Sequence, residues 1–144
     1  MSASCKKAEL PLPSKTERAE VAGMPFDLLE LATVETAIRN RDPKQPFEYV
    51  VTPNVDHVVR SHRLGLRHLY DNAWLSVCDS RILAKLSPAV DVHFPAVITG
   101  SDLTKRVLEH NLDHGDHITV IGCDADNVAK LQSRLEGVFV HHYN

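Results

Sequence analysis

Residues 47–59 read Phe-Glu-Tyr-Val-Val-Thr-Pro-Asn-Val-Asp-His-Val-Val. The first half, Phe47 to Thr52, is β-branched and aromatic, which predicts a core strand. Pro53-Asn54 turns the chain, and Asn54 suits a helix N-cap. Val55, Val58 and Val59 then recur at helical spacing. The same grammar returns twice. Trp74 to Cys78 is followed by Asp79-Ser80-Arg81, and Ala96 to Thr99 by Gly100-Ser101-Asp102-Leu103. In a parallel α/β sheet such strand-to-helix turns lie on one edge, where ligands bind. The three polar tips are therefore expected to meet around one crevice.

The remaining segments extend the pattern. Arg18 to Met24 predicts an edge strand stopped by Pro25. Thr33 is placed to cap a helix that ends at Asp42-Pro43. Gly65 interrupts the segment after Asn54, and Ser80 caps a helix carrying Ile82, Leu83 and Leu86. Asp91 to Pro95 reads as a loop. Ser101 caps a helix through Leu112, with Gly115 at its C-terminal end. His117 to Cys123 is a strand, Asp124 or Asp126 caps the next helix, Gly137 closes it, and Val138 to Val140 begins another strand. Alternating strands and helices predict an α/β fold: a Rossmann-like, mostly parallel sheet with helices on both faces.

The chain has 144 residues, which fits one domain at 17–144 behind a disordered N-terminal tail at 1–16 marked by Pro11 and Pro13. Its 43% hydrophobic and 24% charged content is that of a soluble globule. A net charge of -3 and 6% aromatics give neither the field nor the stacking surface for nucleic acid. No apolar run approaches the ~18 residues of a membrane span, and the N-terminus lacks the apolar stretch of a secretory signal. Cys5, Cys78 and Cys123 are too sparse for a disulfide framework, which predicts a reducing compartment.

Each candidate site residue has a chemical reading and a local one. Asp79 follows a buried strand, so its carboxylate is expected half-desolvated and suited to act as a general base; locally it is a helix first-turn aspartate. Thr52 and Asn54 are fixed in direction by Pro53, and Asn54 either reads a hydroxyl or caps a helix. Gly100-Ser101-Asp102 offers close backbone approach and a helix N-terminus suited to a diphosphate, or simply a capped helix. Arg60, Arg63 and Arg67 would form one stripe if the helix ran through Gly65, facing phosphates or solvent. Asp124-Ala125-Asp126 has the carboxylate pairing of a metal-dependent nucleotide-sugar enzyme, whose activity EDTA would abolish, or is a helix cap. His110 and His114 lie one turn apart without clear further ligands, and no metal site is assigned. The chain lacks G-x-G-x-x-G, G-x-x-x-x-G-K-[ST] and G-x-S-x-G, which argues against a dinucleotide oxidoreductase, a P-loop enzyme and a serine-elbow hydrolase.

Taken in order, YVVTPNVDHVV (49–59), WLSVCDSR (74–81), TGSDL (99–103) and HITVIG (117–122) resemble the WecG/TagA/CpsF glycosyltransferases, family 26, and most of all their exopolysaccharide-assembly branch. The resemblance covers Val21 to Asn144. It implies inverting transfer of a hexose-type sugar from a UDP donor to a polyprenyl-diphosphate-linked saccharide. It places the protein in the cytoplasm, peripheral to the inner face of the membrane, without a cofactor or D-x-D metal. It assigns the general base to Asp79. Thr52, Asn54 and His57 fall in the substrate pocket, with Thr99, Gly100, Ser101 and Asp102 beside it. Two positions depart from the family pattern. Ser80 replaces the usual glycine after the aspartate. Val97 stands where many members carry an arginine, so that phosphate contact is either lost or moved to Arg81. Family members also run on well past this point, with further strands, a pocket glutamine and a basic membrane-docking segment. The expectation is thus an N-terminal portion whose uncovered sheet could drive homo-oligomerisation. The alternative is a non-catalytic nucleotide-sugar-binding module or inactive remnant.

Overall fold

The computed structural model describes residues 18–42 and 44–143. The expected tail, Cys5, Pro43 and Asn144 lie outside the described residues. The fold is mixed α/β. By its contacts the chain divides into two compact units, 1–103 and 104–144.

In the first unit, β1 (Ala19–Val21) and β2 (Met24–Phe26) form an antiparallel hairpin. The sequence pattern instead ended an edge strand at Pro25. The chain reverses at Ala22-Gly23, both with positive φ (50° and 70°), the geometry of a two-residue turn matched to strand twist. Pro25 faces Glu20. That is the pair next to the closing pair, where an antiparallel ladder exchanges no hydrogen bonds, so the missing N–H costs nothing.

Helix α1 (Leu31–Asn40) begins two residues before Thr33, with Glu30 at the N-cap position and no side-chain cap. β3 (Val50–Val51) pairs in parallel with β4 (Leu75–Ser76). Both are shorter than the apolar runs that predict them, although Trp74 N–H to Tyr49 O (2.9 Å) and Val77 N–H to Val51 O (3.0 Å) continue the pairing. The Ala96–Thr99 run forms no ladder; Ile98 N–H donates to Cys78 O (2.8 Å) and holds it alongside.

Helix α2 (Val55–Leu64) stops at Gly65, which adopts the left-handed conformation at its C-cap, and α3 (Arg67–Asp71) starts afresh. The arginine stripe is therefore broken. Arg60 lies 3.8 Å from Asp56, while Arg67 reaches Glu20 (2.9 Å) and Gly23 O (2.9 Å) to hold the hairpin. α4 (Arg81–Leu86) runs into a short 3-10 turn (Ser87–Val90) carrying Pro88. α5 (Gly100–His110) begins in this unit and continues into the next.

The core gathers Val21, Met24, Phe26, Val58, Cys78 and Leu83, with Phe94 edge-on to Phe26 at 5.2 Å. Burial pushes the Cys78 thiol up, so it packs as a small protonated hydrophobe.

In the second unit, β5 (His117–Ile121) and β6 (Phe139–Tyr143) are parallel and joined through α6 (Ala125–Gln132). Gln132 ties helix to strand: its Nε2 donates to Val138 O and its Oε1 accepts from Val140 N, both at 3.0 Å. α5 ends at His110, so His114 falls in the following turn rather than on the helix.

Arg67 holds the Glu20 carboxyl below its ordinary value, first by hydrogen bonding and then by charge. A depressed folded pKa contributes stability above the unfolded value and loses it as pH falls through the folded one. The hairpin is therefore expected to loosen in acid, below the ordinary carboxylate range. Glu20→Gln should flatten that part of the dependence. Hydrogen exchange at β1 and β2 against pH checks it; identical profiles for the two proteins would refute it. Both partners are exposed, so the effect is small.

Candidate functional site

Two hydrogen bonds join the three tips. Pro53 is buried two residues past β3, and its carbonyl accepts the Asp79 N–H at 3.0 Å. The Asp79 carboxylate is half-buried, and its Oδ2 accepts the Gly100 N–H at 3.0 Å. The third contact follows from what glycine leaves out. A Cβ on Gly100 would stand 2.9 Å from Thr52 Oγ1 and 3.9 Å from Asp79 Oδ2. Thr52, Asp79 and Gly100 thus come together, each supplied by a different strand-to-helix turn. Among the described residues no hydrogen bond occupies Asp79 Oδ1, which leaves one carboxylate oxygen able to take a proton.

The local readings are also realised. Asn54 caps α2 through a reciprocal pair: its Oδ1 accepts from His57 N, and its own N–H donates to His57 Nδ1, each at 3.2 Å. Ser80 is buried and caps α4 by accepting from Leu83 N at 3.2 Å. At α5 the cap is Thr99 rather than Ser101: Thr99 Oγ1 accepts from Asp102 N at 3.1 Å, and the two hydroxyls lie 3.0 Å apart. The helix begins two residues earlier than a Ser101 cap implies, because the threonine hydroxyl already serves its first turn. Ser101 and Asp102 are exposed on that turn. Arg81 is exposed at the start of α4, and among the described residues it makes no hydrogen bond or ion pair with the other candidates.

Asp124 caps α6. Its Oδ1 accepts from Asn127 N (2.8 Å) and its Oδ2 from Asn127 Nδ2 (2.6 Å), and the backbone bond holds its carboxyl below the ordinary range. Both oxygens are thus engaged in helix capping.

Sequence reasoning missed two features. One is a cleft of about 310 Å³ walled by Tyr49, Val51, Leu69 and Tyr70, with Thr52 and His57 as its polar groups. The alternation of Phe47, Tyr49 and Val51 was its only local signal, since α3 supplies the other wall. The second is a buried ion pair between Arg18 and Asp27 (3.0 Å) behind β4. Asp27 Oδ2 accepts Ser76 N at 2.7 Å, which fixes the strand leading to Asp79.

A family model described as Glycosyl transferase WecG/TagA/CpsF family matches residues 19–143, most of the chain. No curated protein matches it significantly.

Proposed function

The chain belongs to the WecG/TagA/CpsF glycosyltransferase family, and from that premise we propose that it transfers a hexose-type sugar from a UDP donor to a polyprenyl-diphosphate-linked saccharide. We assign the step to bacterial exopolysaccharide or cell-surface polymer synthesis at the cytoplasmic face of the membrane, on a Rossmann-like fold. The acceptor hydroxyl oxygen bonds to the anomeric carbon while the bond from that carbon to the UDP diphosphate breaks on the opposite face, inverting the configuration. The hydroxyl proton passes to Asp79, and UDP leaves with the bonding electrons.

The observation that carries this reading is the Asp79 carboxylate, held through one oxygen by Gly100 N–H and bordered by Thr52. Fixing a base before substrate arrives lowers the cost of orienting it in the transition state. Asn54, His57 and Arg81 are assigned to substrate contact beside it, with Thr99, Ser101 and Asp102 on the α5 turn facing the donor.

The test is transfer of radiolabelled sugar from UDP donors to a lipid-linked saccharide, alongside calorimetric titration with UDP. Inverted product supports the proposal. UDP binding without turnover favours a nucleotide-sugar-binding module, and neither result favours an inactive remnant.

Gly100→Ala probes the same contact. Gly100 opens α5 without a positive φ, so its backbone accepts alanine and folding is expected to survive. The new methyl must displace Thr52, and transfer should fall by about tenfold or more, as small misplacements at a reacting centre do. Full activity with an unchanged melting temperature would show that the close approach is not needed.

A further inference from the structure

We propose that the cleft beside Thr52 seats the acceptor's sugar ring, with Phe47 as a platform for a second ring. The inference rests on the glycosyl-transfer reading and adds a subsite to it. Thr52 lines the cleft and also borders the Asp79–Gly100 contact, so a ring bound there presents its hydroxyl edge toward the proposed base. The walls suit a saccharide. Tyr49 is pinned by its hydroxyl, which donates to Leu69 O at 2.6 Å, leaving its ring as a fixed apolar surface for the C–H face of a pyranose. His57 adds a polar contact. Its Nδ1 is engaged by the Asn54 cap, 3.2 Å from Asn54 N and 2.9 Å from Asn54 Oδ1, which leaves Nε2 outside the cap as the ring's second polar atom. A few polar groups in an otherwise apolar cleft is the usual make-up of a small-ligand site.

Among the described residues no lysine or arginine lines the cleft. It therefore fits a neutral ring rather than the donor's diphosphate, which needs cations or free amide N–H groups. The aromatic surface continues outward. Phe47 is 90% exposed, and its ring lies 6.4 Å from that of Tyr49, inclined by only 25°. Two near-parallel rings in sequence, one at the cleft and one beyond it, match an acceptor of more than one sugar.

The experiment follows side-chain NMR signals of Tyr49, His57, Leu69 and Tyr70. The probes are octyl glycosides of glucose, galactose and N-acetylglucosamine below their micelle concentrations, dodecyl maltoside likewise, and separately UDP. At least one glycoside is expected to shift these signals saturably, and UDP to leave them in place. Leu69→Trp, at a residue 45% exposed, fills the cleft and should weaken glycoside binding about tenfold or more. Phe47→Ala, which cannot disturb a core, should weaken the disaccharide probe more than the monosaccharides. No shift with any glycoside, shifts that survive Leu69→Trp, or equal shifts with UDP would each overturn the proposal. Glycoside binding without sugar transfer would defeat the transfer reading and leave the subsite standing. Transfer with a silent cleft would defeat the subsite alone.

Discussion

Asp27→Ala is expected to destabilise the first unit by about 3–5 kcal/mol, the usual cost of breaking a buried charge pair from one side. The side chains of Arg18 and Asp27 are 5% and 2% exposed. The guanidinium spends its donors on Asp27 Oδ1 (3.0 Å), Ala73 O (2.8 Å) and Trp74 O (2.7 Å), with a longer contact to Tyr70 O. Asp27 closes a second ring with β4, donating its N–H to Ser76 O and accepting Ser76 N–H, both at 2.7 Å. Alanine keeps the backbone bond but strands a buried cation and the Ser76 amide. Trp74 is the only tryptophan and contributes a carbonyl to the cluster, so its fluorescence in a urea titration reports on this unit. Asp27→Asn should fall between alanine and the parent, since an amide can still accept from Ser76. A loss below about 1 kcal/mol for alanine would show that water replaces the carboxylate, and the cluster would not be a structural centre.

What was legible in the chain is what short range decides. Asn54, Ser80 and Asp124 cap helices because a side-chain oxygen needs only the amide two or three residues on. Gly65 ends α2 because a left-handed residue there is a local matter. The strand-then-polar-tip grammar predicts that the clusters at 52–57, 78–81 and 99–103 lie on turns along one edge, and Thr52, Asp79 and Gly100 are the members that meet. The failures are of longer range or of finer competition. Arg18 meets carbonyls at Ala73 and Trp74, more than fifty positions away, and no periodicity announces such a partner. Arg67 looked like part of a helical stripe, yet it anchors the β1–β2 hairpin. At Thr99-Gly100-Ser101 two hydroxyls compete for one cap, and pattern alone does not choose between them. The cleft needs Tyr49 from the residue before β3 and Tyr70 from α3, and neither residue carries chemistry by itself.

Asp79→Asn is expected to lower kcat for sugar transfer by about 10²–10⁴-fold, the range general-base assistance commonly supplies. The substitution is chosen because it separates proton transfer from geometry. An asparagine oxygen still accepts the Gly100 N–H, so the turn before α5 should hold its place. Ser80 continues to cap α4, and the buried end of the strand is untouched. What is lost is the second oxygen's capacity to take the acceptor proton. Because that demand arises only as the hydroxyl attacks, UDP-sugar affinity should stay within about threefold of the parent while kcat and kcat/KM fall together. Steady-state kinetics with calorimetric measurement of UDP binding gives both quantities from one preparation. An unchanged kcat would remove Asp79 from the chemistry. A parallel loss of UDP affinity would reassign it to holding the donor, and the base would then have to be sought among the other groups around Thr52, with His57 first because its exposed imidazole already lines the cleft.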